Sequence, residues 1–168
     1  MKRIVLIGSG GSGKSTLARQ LGEKLNLKVY HLDAIFWKPN WVGVPKEEQR
    51  KVQNELVKQE EWIIDGNYGG TMEVRLNAAD TIIFLDLPRT ICVLRVFKRM
   101  LKYRNQTRPD MGEGCEERFS LAFIKWVWGY RTKRRPGILR RLGQLSKDKN
   151  VIILKSAKEV RDFLEKVS

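Results

Sequence analysis

The chain alternates short uninterrupted apolar blocks with longer stretches in which apolar positions recur every three or four residues. Ile4 to Ile7 is a continuous apolar run closed by Gly8, the pattern of a strand covered on both faces in a parallel sheet. Leu17, Leu21 and Leu25 follow at helical spacing, which predicts a helix from about Lys14 to about Asn26. Further strands are predicted at Lys28 to Leu32 ending at Asp33, Trp62 to Ile64 ending at Asp65, Thr81 to Leu85 ending at Asp86, and Val151 to Leu154. Between them lie a polar helix opened by Pro45, a long basic amphipathic helix from about Pro88 to Arg104 and an aromatic helix from Phe119 to Tyr130. A short helix from Ile138 to Leu145 and a closing one from Lys158 to Val167 complete the pattern. Trp37 to Val44 reads as loop, "TKRRPG" as a break, and "NQTRPDMGEGCEER", with a proline, two glycines and mixed charge, as a mobile loop. Repeated strand-helix alternation implies a parallel sheet with helices on both faces.

Composition narrows the class. With 168 residues the chain fits one domain that buries on the order of 70% of its unfolded surface, enough for a core without disulfides. Cys92 and Cys115 have no CxxC spacing and no nearby histidine pair, so both read as reduced thiols without a metal role. No apolar run approaches the ~20 residues of a membrane helix, and no secretory signal is visible, so a cytoplasmic protein is expected. Net charge is +14 and unevenly placed: residues 1 to 85 hold 12 Lys/Arg against 10 Asp/Glu, residues 86 to 168 hold 21 against 9. A basic second half suits nonspecific attraction of nucleic acid, arginines closing over a polyphosphate, or a plain solvated face.

The segment Gly8-Ser9-Gly10-Gly11-Ser12-Gly13-Lys14-Ser15 matches Gly-x-x-x-x-Gly-Lys-Ser between a buried strand and a helix, the context in which this motif cradles phosphates. Gly8, Gly10, Gly11 and Gly13, with Ser12, turn successive backbone N–H groups inward, and the helix N-terminus adds its dipole. Lys14 is expected to reach the β and γ phosphates of ATP, Ser15 to bind Mg²⁺, and Thr16 to stand beside them. A carboxylate at a neighbouring strand end must complete the metal site. Asp65, followed by Gly66-Asn67-Tyr68, is favoured over Asp86, which could instead cap the basic helix.

No Asn-Lys-x-Asp base reader is present, and the layout resembles that of nucleoside-monophosphate kinases over nearly the whole chain. "GSGGSGKST" looks like their phosphate loop and "IIDGNY" stands where they carry an Asp-Gly turn at the acceptor. "LRVFKR" places Arg95 and Arg99 four apart, like the arginine pair that contacts adenine and phosphates in adenylate-kinase-like proteins. With "HLDAIFWKPNW", "RLNAAD" and "FLDLPR", the pattern looks most like the bacterial DNA topology modulation proteins of the FlaR type. The resemblance implies a three-layer α/β/α P-loop NTPase fold with a five-stranded parallel sheet of order 2-3-1-4-5. It also implies one domain over residues 1 to 168, an acceptor-side insertion at about 34 to 61 and a basic lid at about 104 to 118.

Phosphoryl transfer relies on positioning and charge neutralisation, so arginines on the γ-phosphate are the expected machinery. Arg99, Arg104, Arg108 and Arg118 flank the Gly-rich loop; Arg99 and Arg108 are taken with Lys14 and Asp33 as the catalytic set. Arg131, Lys133, Arg134 and Arg135 read as surface charge. Asp33 can take a proton from an acceptor hydroxyl, and Arg75 can fork onto an anionic acceptor, with Asp65, Gly66 and Tyr68 lining that side. His31, the single histidine, is either structural or a base. Trp37 and Trp41 either stack on a ring or fill the core, while Trp62, Trp126 and Trp128 read as packing residues. The reading is a Mg-ATP-dependent kinase of a small molecule, a nucleotide or nucleoside in the first instance. The alternative is a nucleic-acid-associated regulator that uses ATP with little or no transfer.

Overall fold

A computed structural model describes residues 1–167. The central strand β1 (Arg3–Gly8) leads into α1 (Lys14–Leu25) and β2 (Val29–His31), followed by the short α2 (Leu32–Phe36). Two-residue strands β3 (Trp37–Lys38) and β4 (Val42–Gly43) pair antiparallel as a small hairpin, then α3 (Lys46–Leu56), β5 (Trp62–Asp65) and α4 (Met72–Ala78) return to the sheet. The remainder is β6 (Thr81–Leu85), α5 (Arg89–Lys102), α6 (Leu121–Lys133), α7 (Arg135–Leu145), β7 (Asn150–Leu154) and α8 (Ala157–Lys166). The five main strands form one parallel sheet in the order β2-β5-β1-β6-β7, which is 2-3-1-4-5 when only these strands are numbered along the chain.

Alternation along β1 sends Ile4 and Leu6 to one face and Val5 and Ile7 to the other. The first layer packs on Leu17 and Leu21 of α1, Val96 and Met100 of α5, and Phe163 of α8. The second packs on Leu76 of α4 and on Tyr130 and Leu142 of α6 and α7. Register sets His31 beside Asp65 and Asp65 beside Leu6, which gathers the ends of β2, β5 and β1 at one edge of the sheet. Among the described residues no helix is long and apolar enough to cross a membrane.

Several boundaries differ from the sequence pattern for local reasons. β2 stops at His31, so Asp33 lies on the first turn of α2 and not at a strand end. The loop expected after Trp37 contains the hairpin, with Asn40 and Trp41 in the left-handed region at φ 62° and 59°. α6 begins at Leu121 because the Ser120 hydroxyl accepts the Phe123 N–H and caps it. α7 begins at Arg135, with Pro136 in the first turn, where a missing N–H costs nothing. The seven-residue α4 is too short to show a helical period.

Residues 103 to 120 are irregular but anchored. Arg104 bridges Glu117 and Thr107 bridges Glu116, while the far side rests on the hairpin. Asn40 N–H donates to Gly114 O at 3.1 Å, Trp41 Nε1 to Glu116 O at 3.0 Å, and the Cys115 thiol to Lys38 O at 3.1 Å.

Candidate active site

The phosphate loop needs its glycines for two separate reasons. Gly11 and Gly13 sit in the left-handed region at φ 74° and 89°, and a Cβ on Gly11 would collide with the Cys92 carbonyl of α5. Gly13 opens α1 with no side-chain cap, so the first N–H groups of the helix stay available to an anion. The Ser9 and Ser12 hydroxyls are buried with no protein partner, which suits a loop built to donate to phosphate oxygens.

Beyond the loop, Ser15 Oγ donates to Asp65 Oδ2 at 2.6 Å, and the same oxygen contacts His31 Nδ1 at 2.6 Å. Asp65 is buried, and its Oδ1 has no partner. A hydroxyl and a carboxylate with one spare oxygen fit the sparse protein oxygen set that Mg²⁺ takes, since that ion keeps several waters. No group of three His, Cys, Asp or Glu residues forms a dedicated metal cage among the described residues. Asp86 has a different role. Both its oxygens accept from Arg135, at 2.7 and 2.9 Å, and α5 has no side-chain cap, so Asp86 is taken up by an arginine and does not cap the helix.

Three cavities meet at Lys14. A groove of about 210 Å³ beside Gly13, Thr16, Arg95 and Arg99 runs along the donor side, where Arg95 also donates to Ser12 O at 3.3 Å. A second space of about 240 Å³ is walled by Ser15, Arg99, Arg108 and Arg118. The third, about 760 Å³, opens between α4, α6 and α7. Lys14 and Asp33 line both the second and the third, together with Trp37 and Phe123. Tyr68, at φ 40°, donates its hydroxyl to Asp33 Oδ1 at 2.7 Å. Burial, with Asp33 adjacent, pushes the Tyr68 pKa far above its ordinary value, so this hydroxyl remains a proton donor at every working pH.

Arg75 does not stand where the sequence placed it. It is wholly buried, and its guanidinium donates to Gln53 Oε1 at 2.9 Å, to Gly66 O at 2.7 Å and to Asn67 O. Desolvation lowers its pKa to about 10, against the opposing pull of Asp65. Its fork therefore clamps the Gly66-Asn67 turn from behind and is turned away from an acceptor, because both terminal nitrogens already donate to nearby carbonyls, while the buried Nε–H has no partner. Besides Lys14, the cations on the large cavity are Lys133, Arg134 and Arg141, the first two from the run read as surface charge. Trp126, read as a packing residue, stacks on Phe123 at 5.7 Å in the wall of the same cavity. Residues three or four apart on an aromatic helix signal a shared face; only the fold shows that this face lines a cavity. Asn67 was also missed as a site residue: its Nδ2 donates to Gly8 O at 2.6 Å, and its Oδ1 accepts the Tyr130 hydroxyl at 3.2 Å.

Around residues 104 to 118, Glu117 Oε2 lies 2.8 Å from Arg108 Nε and Oε1 lies 3.5 Å from Arg99 Nε; Asp110 is 3.5 Å from Arg108 Nη1. Burial and the neighbouring Arg108 lower the Arg99 pKa, opposed by Glu117 and Asp110. For Asp110, burial raises the pKa, but Arg108, His31 and Arg99 outweigh it and hold the carboxyl below its usual range. Arg104 is exposed and lines none of the three cavities.

No protein-family model matches the chain. It is 26% identical to the uncharacterised protein YqaC of Bacillus subtilis over 130 residues, covering 75% of this chain and 71% of that protein. It is 32% identical over 104 residues to the shikimate kinase of Azobacteroides pseudotrichonymphae, covering 51% of this chain. The chain spans only 59% of that enzyme's length. Among solved structures, the shikimate kinase of Acinetobacter baumannii in complex with shikimate superposes with a TM-score of 0.58 at 18% identity, covering 99% of this chain and 90% of that one. An unliganded sugar kinase from Janibacter gives 0.53 at 16% identity, covering 98% and 91%. The fold is therefore the three-layer α/β/α fold of P-loop kinases.

Proposed function

We propose that the protein is a Mg-ATP-dependent kinase of a small molecule that presents a hydroxyl to Asp33 and an anionic group to Lys133 and Arg134. The observation that carries this reading is the position of Asp33, which shares with Lys14 the wall between the donor-side space and the large cavity. A hydroxyl in the large cavity would give its proton to Asp33 as its oxygen bonds to the γ-phosphorus, and the bond to the bridging oxygen breaks to leave ADP. Tyr68 holds the Asp33 carboxylate in place, while Lys14, Arg99 and Arg108 offset the charge on the phosphoryl oxygens. Ser15 and Asp65 would hold Mg²⁺, which supplies charge neutralisation at the phosphates when bound. The segment 104 to 118 acts as the lid and residues 34 to 61 as the acceptor-side insertion, so closure excludes water.

A ring-bearing acceptor suits the aromatic wall of Trp126, Phe123 and Tyr130, and an anionic one suits the cationic rim, so a nucleoside or nucleotide is the first class to try. That choice agrees with the adenylate-kinase-like spacing of Arg95 and Arg99 and with a cytoplasmic setting. The test is ATP turnover against a panel of nucleosides, nucleoside monophosphates and hydroxylated carboxylic acids. Stimulation by one class identifies the acceptor, and no stimulation by any small molecule sinks the kinase reading.

One observation favours a second reading, an ATP-using regulator associated with nucleic acid, as the likeness to FlaR-type proteins suggests. Helices α5, α6 and α7 contain no Asp or Glu, and Arg89 lies 3.9 Å above the ring of the exposed Trp128. In that case DNA, and not a small molecule, raises ATP turnover, with an affinity that falls steeply with salt.

A further inference from the structure

Two buried guanidiniums converging on one space repel each other unless an anion separates them. Arg108, buried, and Arg99, partly buried, are in that position: both line the donor-side spaces with Lys14 and Ser15, and burial together with the charge of Arg108 lowers the pKa of Arg99. The Glu117 carboxylate lies between them, one oxygen toward each Nε, and is itself buried. Neither Nε–H makes a well-aimed hydrogen bond, so the attraction is one of charge more than of hydrogen-bond geometry. Among the described residues, no protein hydrogen bond occupies the terminal nitrogens of either guanidinium; Arg108 Nη1 lies 3.5 Å from Asp110 Oδ2, and the others are open to a further anion. The backbone fixes Glu117 on both sides: its N–H donates to Gln106 O at 2.7 Å and its carbonyl accepts from Asn105 N–H at 3.1 Å.

We propose that Glu117 is a positioning residue of the donor site, an internal counter-anion that keeps Arg99 and Arg108 converged beside the phosphate loop before a polyphosphate arrives. Asp110 shares the task through Arg108 alone; Glu117 is the carboxylate that reaches both arginines. The lid is thereby held shut by its own charge, and arriving phosphate oxygens meet arginines already in place, which reduces the reorganisation needed for transfer. The use of these arginines in transfer rests on the kinase reading above; their dependence on Glu117 does not.

The test compares hydrogen exchange over residues 103 to 120 in the wild type, Glu117→Gln and Glu117→Asp, without nucleotide and with a non-hydrolysable ATP analogue and Mg²⁺. Without nucleotide, Glu117→Gln is expected to speed exchange in this segment roughly tenfold while the sheet stays protected, and Glu117→Asp to stay near wild type. The analogue is expected to restore protection, because its phosphates replace the lost anion. In parallel, kcat for Mg-ATP hydrolysis to water should fall roughly tenfold or more in Glu117→Gln with the KM for ATP moving less than about threefold, and recover in Glu117→Asp. Wild-type protection of the nucleotide-free Glu117→Gln lid would overturn the proposal. So would tighter ATP binding at unchanged turnover, the sign of a carboxylate that only competes with phosphate, or loss of protection throughout the sheet, the sign of a general packing role. Absence of ATP binding by the wild type would overturn the kinase reading instead, while the nucleotide-free comparison still decides the role of Glu117.

Discussion

The side chain of Asn67 is paired with the backbone of Gly8 in both directions: Asn67 Nδ2 donates to Gly8 O at 2.6 Å, and Gly8 N–H donates to Asn67 Oδ1 at 3.3 Å. One amide thus ties the first residue of the Gly8 to Ser15 loop to the turn beside the large cavity, and the Tyr130 hydroxyl reaches the same Oδ1. Asn67→Ala should cost about 1–3 kcal/mol in a urea melt, since partly buried partners lose their hydrogen bonds. ATP affinity should fall with it; an unchanged ATP titration would show that the clasp matters only for the fold.

Lys14→Ala should lower ATP-dependent transfer by about two to three orders of magnitude with little change in melting temperature. Lys14 is partly exposed and forms no salt bridge among the described residues, so its removal leaves no buried partner stranded there. Near-normal turnover in this variant would remove the donor-site assignment.

The two carboxylates at strand ends should separate cleanly. Asp65→Asn is expected to raise the Mg²⁺ concentration needed for half-maximal turnover by about 10- to 100-fold. Arg135→Ala, which strands Asp86, is expected to leave the Mg²⁺ requirement alone and to lower stability by about 1–3 kcal/mol. A magnesium titration beside a denaturant melt distinguishes the two.

Arg134 and Arg75 exchange the roles that their sequence positions suggest. Arg134→Ala should raise the acceptor KM while ATP binding and stability stay close to wild type. Arg75→Ala should destabilise the protein by about 3 kcal/mol or more, because Gln53 and two turn carbonyls lose a buried donor together. Equal losses in both variants on both measurements would refute the division.

Asp80 gives a pH dependence of definite sign. Its carboxylate accepts Lys2 N–H at 2.8 Å, Arg3 N–H at 2.9 Å and the Thr81 hydroxyl at 2.7 Å, tying the starts of β1 and β6 together. Burial raises its pKa, but these hydrogen bonds outweigh it, so the folded pKa lies below the unfolded one. Its contribution is then present above the unfolded value of about 3.9 and is lost as pH falls through the folded one. The stability gap between wild type and Asp80→Asn, followed by urea melts, should be constant near neutrality and close as pH falls below the unfolded value and through the folded one. A gap that widens on acidification would reverse the assignment.

The sequence alone determined whatever neighbouring residues decide by themselves. Periodicity gave the five main strands and most of the helices that join them, because burial on one or both faces leaves a repeat of two, of 3.6, or a continuous run. The Gly8 to Ser15 loop was equally legible, since its glycine conformations and the Lys-Ser offset are properties of eight consecutive residues. The tertiary structure decided what depends on partners distant in the chain. Asp65 and Asp86 end similar strands; Ser15 and His31 lie against one and Arg135 against the other, 49 residues away in sequence. Arg75 looked free for an anion until Gly66 and Asn67 turned their carbonyls onto it, and Arg134 looked like surface charge until α6 and α7 bent around the large cavity. A charged side chain's chemistry is set by what neutralises it, and that counterpart is chosen by packing.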